Sequence, residues 1–459
     1  MKAPSPDDTI VAISTPPGPG GLGVVRLSGD RALEIAGTFF RPVRTGSGFP
    51  ERRAVLGVLV EPGKNEPFDE AVVTAFRAPR SFTREDVVEI SCHGSQVVLE
   101  EVVRLAVRLG ARLAHPGEFT RRAFLRGRFD ILQAEAVNDL VRASSLDEAR
   151  LAFRAVEGRL SKRILALRAG AVRLISDLEA AVEFPEEGIS QSPSRLQSSM
   201  AKLEAEIERL IGSYQTGRAL AQGTTLAIVG RKNVGKSTLF NALLGEPRAI
   251  VASRPGTTRD YLREKLRLGE AVFNLIDMAG LGSAGSAVER EGMKRGRRLA
   301  SQADGILLVV DGSKAAGKED LALIEEYRNK HILFIINKID KYKGKRKSLV
   351  ENRPSGGKTV EVSALRGLHI DTLRSLIRET FAPKVSPGEV VIFHLRDKLL
   401  LEEALSHLRR ASRKLEEGHG EEVVAEEIRS SVSAVGRLTG EIRTDEVLDE
   451  IFGRFCVGK

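Results

Sequence analysis

Gly230-Arg-Lys-Asn-Val-Gly-Lys-Ser237 is the stretch that decides the fold. It has the form G-x-x-x-x-G-K-[ST], with the apolar run Leu226-Ala-Ile-Val229 before it and a helical pattern from Thr238 to Leu244 after it. Glycines let the backbone wrap closely around phosphates, and the loop N–H groups and the helix N-terminus favour negative charge. Lys236 is expected on the β/γ-phosphates and Ser237 on Mg²⁺. A chance glycine-rich turn would not carry a strand and a helix on the correct sides. The loop predicts a nucleotide phosphate but neither its base nor its use.

The base is predicted further along. Asn337-Lys338-Ile-Asp340 follows the apolar run Ile332–Ile336. A carboxylate there accepts from adjacent N–H donors, which guanine offers at N1 and the 2-amino group and adenine does not. Ser363-Ala364-Leu365 follows a further strand pattern and can present a backbone N–H to the guanine oxygen. Asp277-Met278-Ala279-Gly280 has the form D-x-x-G: Asp277 is expected to hold Mg²⁺ through water and the Gly280 N–H to sense the γ-phosphate. Gly256-Thr257-Thr258 lies between, and Thr258 is expected to complete the Mg²⁺ shell. Losing the γ-phosphate would release both segments, the behaviour of a switch. After Gly280 stands Leu281, which cannot orient water as the glutamine of Ras-like GTPases does. Glu289 is the candidate for that role; a solvated glutamate at a helix start is the competing reading. The sequence offers no identifiable arginine finger, and a monovalent cation can supply that charge. Asn233 offers it a side-chain oxygen, and the segment Ala252–Thr257 offers backbone carbonyls.

Around this core the texture changes twice. Residues from Asp8 to about Phe119 mix short β-rich runs (Thr9–Ile13, Gly23–Leu27, Ala54–Val60, Ala71–Phe76, Val87–Ser91) with a helical stretch at Val97–Leu109, as in a small α+β domain. From about Arg122 to Tyr214 apolar residues recur at helical spacing: Leu160, Ile164, Leu167, Ala171, Leu174, Leu178 and Val182, then Leu196, Met200, Leu203, Ile207 and Leu210. Helical spacing returns near the end at Leu401, Leu405 and Leu408 and at Ile428, Val432 and Val435. A doubly wound α/β domain inserted into a helical domain made of two chain segments is the economical arrangement. The expected domains are 1–121, 122–222, 223–383 and 384–459, the second and fourth forming one helical bundle.

The whole chain sets outer limits. Its 459 residues suggest about three domains, and 42% hydrophobic and 29% charged residues are a globular balance. A net charge of +9 permits a polyanionic partner such as RNA. The basic run Lys341-Tyr-Lys-Gly-Lys-Arg-Lys347 reads first as a solvated loop. Cys92 and Cys456 provide no disulfide framework and no metal-ligand spacing, which fits a reduced, cytoplasmic compartment. The first residues lack the apolar core of a signal peptide, and no apolar run is long enough to span a bilayer.

The most specific segments lie outside the nucleotide motifs: Asp8-Thr-Ile-Val-Ala12, Thr15-Pro-Pro-Gly18, Ser81-Phe-Thr-Arg-Glu-Asp-Val-Val-Glu-Ile90, His93-Gly94, Pro116-Gly-Glu-Phe-Thr-Arg-Arg-Ala-Phe-Leu125, Gln133-Ala-Glu-Ala136 and Phe455-Cys-Val-Gly-Lys459. With the GTPase motifs they resemble, over nearly the full length, the MnmE (TrmE) family of tRNA-modification GTPases. The resemblance implies an N-terminal α+β folate-binding and dimerisation domain, a discontinuous helical domain and an inserted P-loop GTPase domain. It implies potassium-dependent GTP hydrolysis in a homodimer. It also implies an FAD-containing partner, MnmG (GidA), in a heterotetramer that places an aminomethyl-type group on carbon 5 of the tRNA wobble uridine. The one-carbon unit would come from 5-formyl- or methylene-tetrahydrofolate, and the FAD would sit only on the partner.

Position by position, Asn233, Ala252, Arg254 and Thr257 match the potassium positions, Ser237 and Thr258 the magnesium ligands, and Glu289 the catalytic glutamate. The GTP site would comprise Asn233, Val234, Gly235, Lys236, Ser237, Thr238, Ala252, Ser253, Arg254, Pro255, Gly256, Thr257, Thr258, Asp277, Met278, Ala279, Gly280, Asn337, Lys338, Asp340, Ser363, Ala364 and Leu365. Arg26, Glu89, Arg128 and Lys459 match the folate positions; a cation suits the anionic tail and a carboxylate the pterin donors. Lys232, Met278, Pro255 and Pro19 depart from the family pattern, and Pro255 bears most on potassium because it restricts Arg254. Cys456 is left outside the catalytic set, because nothing near it in sequence supplies a base. A ribosome- or RNA-assembly switch with the same GTPase core is the alternative function. A scaffold with a degenerate site is disfavoured by intact Lys236, Asp277 and Asp340.

Overall fold

The computed structural model describes residues 8–43, 48–64, 66–183, 192–245, 263–277, 296–314, 317–341, 358–384, 386, 388–441 and 445–458. The chain forms two compact units: residues 1–142, 152–211 and 396–459 make the first, and 143–151 with 212–395 the second.

The first unit starts with a seven-stranded sheet. Its strands are β1 (Ile10–Ile13), β2 (Gly20–Ser28), β3 (Phe40–Pro42), β4 (Ala54–Val60), β5 (Pro67–Phe76), β6 (Val87–Gly94) and β7 (Arg112–Leu113), in spatial order β3-β4-β5-β6-β2-β1-β7. All neighbours run antiparallel except β1 and β7. Alternation assigns the faces. Val25 and Leu27 of β2 and Val88, Ile90 and Cys92 of β6 enter one core with the helices Ala32–Phe39 and Gln96–Arg108. A strand's side-chain period is two, so Arg26 and Glu89 take the opposite face, where the β2–β6 register sets them directly across from each other. The sequence reading located five of these strands and the second helix. It did not find β3, β7 or the helix Ala32–Phe39, which are short or sit against the long hydrophobic elements that stabilise them.

The rest of this unit is helical. Arg159–Glu183 packs along Glu421–Thr439, so one bundle draws on two distant chain segments. Leu160, Ile164, Leu167, Ala171, Leu174 and Leu178 are buried, while Val182 in the last turn is 40% exposed. Packing of that stripe, at about 1.5–3 kcal/mol for each fully buried large aliphatic side chain, outweighs the weak intrinsic preference of any one turn. Gly170 lets Pro193–Gln222 approach, since a Cβ there would come within 2.9 Å of Leu203.

The second unit is a six-stranded sheet in the order β13-β12-β11-β8-β10-β9, from β8 (Thr224–Val229), β9 (Arg263–Leu268), β10 (Ala271–Asp277), β11 (Gly305–Asp311), β12 (Ile332–Asn337) and β13 (Lys358–Glu361). Only β9 runs antiparallel to its neighbour. Every residue of β11 and β12 is buried, as a parallel strand covered on both faces requires. Leu226 and Ile228 enter one core, and Ala227 and Val229 the other. Among the described residues no helix is long and apolar enough to cross a membrane.

Candidate nucleotide site and an arginine-lined cavity

The phosphate-loop residues leave the carboxyl end of β8, the central strand, where ligands of open parallel sheets bind. The helix runs Lys236–Leu244, two residues earlier than its apolar spacing suggests, with Gly235 before it at φ +97°. A side chain at Gly235 would meet the Asn337 amide, and one at Gly230 would meet the Val309 carbonyl. Both glycines therefore keep the loop against the neighbouring strand ends. Asn233 takes φ +66°, a left-handed conformation that asparagine tolerates better than most residues. Val234 is buried beneath the loop, whereas Asn233, Ser237 and Thr238 are exposed.

Asn337 joins the loop to the base-recognition segment. Its Nδ2 donates to the Val234 carbonyl at 2.9 Å, and its Oδ1 accepts from the Ala364 N–H at 3.0 Å. Ser363 Oγ donates to Asp340 Oδ1 at 2.6 Å, and the Arg366 N–H donates back to Ser363 Oγ at 3.2 Å. That hydroxyl holds the exposed Asp340 carboxyl below its ordinary range, so it remains an acceptor. Leu365 turns its side chain to solvent, so only its backbone is held in the site.

Two lysines organise the same rim. Lys236 Nζ donates to the Gly230 and Arg231 carbonyls at 2.9 Å each. Burial pulls its ammonium below the ordinary lysine range, and Asp277 opposes that shift. Lys338, at φ +65°, donates to the Asn233 carbonyl at 2.5 Å and to Asp311 Oδ2 at 2.7 Å. Asp311 was missed in the sequence reading, although it ends an apolar strand as Asp277 and Asn337 do. Burial works against the Asp311 carboxylate, but Lys338 and Ser313 hold it below its usual range.

The described part thus brings together Asn233–Thr238, Asp277, Asn337, Lys338, Asp340 and Ser363–Leu365. Residues 252–258 and 278–280, Leu281, Glu289, residues 342–347 of the basic run and Lys459 lie outside the described residues.

The first unit carries a second site. Arg26 Nε and Nη2 both donate to Glu89 Oε1, at 3.0 and 2.7 Å, while Arg26 Nη1 donates to the Gly458 carbonyl at 3.3 Å. The Arg26 guanidinium lies 5.5 Å from the Phe82 ring centre and 5.7 Å from that of Phe119. Ser14 Oγ also donates to Gly458, which holds the last described residues against β1. Glu89 and Phe82 line a cavity of about 580 Å³ that also includes Arg52, Arg80, Arg84 and Arg128. Arg128 sits 5.0 Å from the Phe82 ring centre and 4.9 Å from that of Phe129, and donates to the Ser81 carbonyl at 2.6 Å. Burial and the nearby Arg84 lower its pKa. Arg26, Glu89 and Arg128, from three separate chain regions, therefore meet in one place. Phe82 links them; its signal was its position inside the segment Ser81–Ile90.

Near the cavity, Glu85 accepts from Ser28 Oγ at 2.6 Å and Arg122 Nη1 at 3.1 Å and forms an ion pair with Arg126 Nη2 at 2.7 Å. Arg122 also reaches Glu118 at 3.1 Å, which Arg112 meets at 2.7 Å. Buried charges are tolerable here because each finds several partners. Cys92 is buried, with its thiol pushed up to about 11 by burial, and Cys456 is exposed.

A family model described as the MnmE helical domain matches residues 131–456, and one described as the GTP-binding protein TrmE N-terminus matches residues 9–128. The tRNA modification GTPase MnmE of Moorella thermoacetica is 40% identical over 462 residues, covering 99% of this chain and all of its own. The protein of that name from Syntrophotalea carbinolica is 41% identical over 459 residues, with 99% of each covered. Among solved structures, Aquifex aeolicus Era bound to GDP.AlF4- is 27% identical over 40% of this chain and 67% of its own, with a TM-score of 0.30.

Proposed function

This chain belongs to the tRNA modification GTPase MnmE family, and on that premise we propose how its two sites divide the work. It is a GTP hydrolase in tRNA modification. GTP hydrolysis is activated by potassium and drives a rearrangement, while the cavity of the first unit holds a tetrahydrofolate one-carbon donor. Together with an FAD-containing MnmG partner, the homodimer adds a carboxymethylaminomethyl or aminomethyl group at carbon 5 of the tRNA wobble uridine. The corresponding domains are 1–121 for folate and dimerisation, 122–222 with 384–459 for the helical bundle, and 223–383 for GTP.

The observation that carries this reading is the pairing of Arg26 with Glu89 at the cavity beside the residues leading to Lys459. Both bonds from Arg26 to Glu89 fall on Oε1, and among the described residues Glu89 Oε2 accepts no hydrogen bond. A pterin-type ring offers adjacent N–H donors to such an oxygen, and Phe82 and Phe119 provide apolar faces nearby.

In the GTP site, Lys236 exchanges its loop carbonyls for the β- and γ-phosphate oxygens, which restores the environment an ammonium prefers. Asp340 accepts the two guanine donors. Asn337 keeps base segment and loop in fixed relation, so seating the base orients the phosphates. Hard oxygen donors suit magnesium, and Ser237 and Thr258 would hold it with Asp277 behind a water. Asn233, whose exposed side chain sits beside the loop, would hold potassium with the carbonyls of Ala252, Arg254 and Thr257. These ions would neutralise charge that accumulates on the phosphate oxygens. Glu289 would orient the attacking water.

Mass spectrometry of tRNA nucleosides from a strain lacking this gene tests the function. Loss of the wobble-uridine modification is expected, with recovery on re-expression of the intact gene. Normal modification would sink the reading and favour an RNA-assembly switch.

A further inference from the structure

The four arginines that line the cavity are not equivalent. Arg80 donates to Glu51 Oε2 at 2.8 Å, and Arg52 lies 3.9 Å from the same carboxylate. Arg84 and Arg128 have no ion pair with any described carboxylate; the nearby Glu85 is taken by Arg122 and Arg126, and Glu89 by Arg26. Each donates instead to a backbone carbonyl, Arg84 to that of Arg126 at 2.9 Å and Arg128 to that of Ser81 at 2.6 Å. These bonds and the two aromatic rings around Arg128 fix the guanidinium positions while leaving other N–H groups unused. Arg84 adopts φ +63°, a conformation that costs free energy for a residue with a side chain and is retained by the buried neighbours Thr83 and Glu85. Two fixed like charges side by side repel, and an anion between them would relieve that repulsion.

We propose that Arg84 and Arg128 form a subsite for the carboxylates of an oligo-γ-glutamyl tail, so that the cavity prefers a polyglutamylated one-carbon carrier to its monoglutamyl form. The proposal rests on reading the cavity as the carrier's site. Glu89 takes the donor-bearing ring, Phe82 lies between, and the arginines receive the tail within the same cavity. Each added glutamate brings one more carboxylate, and an arginine–carboxylate contact is charge-assisted and bidentate where geometry permits. A second carboxylate reaching Arg84 should improve binding about tenfold, the effect of one such hydrogen bond.

Isothermal titration of the full-length protein with the mono- and triglutamyl forms of 5-formyl-tetrahydrofolate is the test. The triglutamyl form is expected to bind about tenfold tighter at low salt, and the ratio should shrink at high salt. In Arg84→Gln the ratio should fall to near one. Arg84→Lys should keep part of it and Arg84→Glu none, with thermal melts confirming that each variant folds. Equal affinities for the two forms in the unaltered protein, or a ratio indifferent to charge at position 84, would overturn the subsite. If the monoglutamyl form fails to bind at all, the carrier reading itself fails.

Discussion

At the scale of single residues, the roles proposed for Asp340 and Glu289 separate recognition from hydrolysis. Asp340 is held ionised by Ser363, and its proposed role is to accept from guanine. Asp340→Asn places an amide donor against guanine donors, so GTP affinity measured with a fluorescent analogue should fall at least about a hundredfold. Xanthosine triphosphate, which offers a carbonyl at the same position, should bind the variant better than GTP does. Glu289→Ala is expected to behave oppositely: unaltered GTP binding with hydrolysis slowed by about a hundredfold or more, the usual scale for a group that positions a nucleophile. Unchanged turnover in single-turnover assays would remove Glu289 from catalysis. Asp340 stands out in sequence because its motif is local, whereas Glu289 is singled out over a solvated helix-start glutamate only by the family resemblance. Asp311 does not stand out, because an aspartate ending a strand acquires meaning only when Lys338 is seen bonded to it and to the Asn233 carbonyl.

At the scale of elements, the helix Glu118–Leu125 is joined to Arg112 of β7 and to Glu85 of the Ser81–Glu85 turn by ion pairs, and Glu85 in turn accepts from Ser28 of β2. Glu118 is desolvated, which alone would raise its pKa, but Arg112 and the His115 N–H more than compensate and leave it lowered. A carboxylate with a depressed folded pKa stabilises the fold above its ordinary pKa of about 4.3, and that contribution is lost as pH falls through the folded value. Urea unfolding midpoints should therefore show Glu118→Gln clearly less stable than the unaltered protein at neutral pH. The gap should narrow as pH drops through the carboxylate range. A gap independent of pH would assign Glu118 a packing role only. The same elements show the limits of periodicity. The stripe from Leu160 to Leu178 was legible because burial on one helix face forces that spacing, whereas β3 and β7 are too short to show any period. Their existence depends on β4 and β1, which supply their hydrogen-bond partners.

At the scale of the whole molecule, the proposed function gives each of the two units its own chemistry. If Asn233 holds a monovalent ion, GTP turnover by the full-length protein should be several times faster in potassium than in sodium at equal ionic strength. Equal rates would withdraw the ion from the mechanism and leave the missing positive charge to a residue outside the described set. The sequence by itself determined the phosphate loop, the choice of guanine, the inserted α/β domain and the divided helical domain. Each depends on short spacing or on a period that survives in one dimension. Tertiary structure alone decided that Arg26 faces Glu89, 63 residues away, and that the Gly458 carbonyl closes on the same guanidinium. It also separated the cavity arginines that pair with a carboxylate from those that, among the described residues, bond only to backbone carbonyls. Antiparallel register and the return of a distant chain segment make those meetings, and charge pairing depends on distance in space, which the order of residues along the chain does not record.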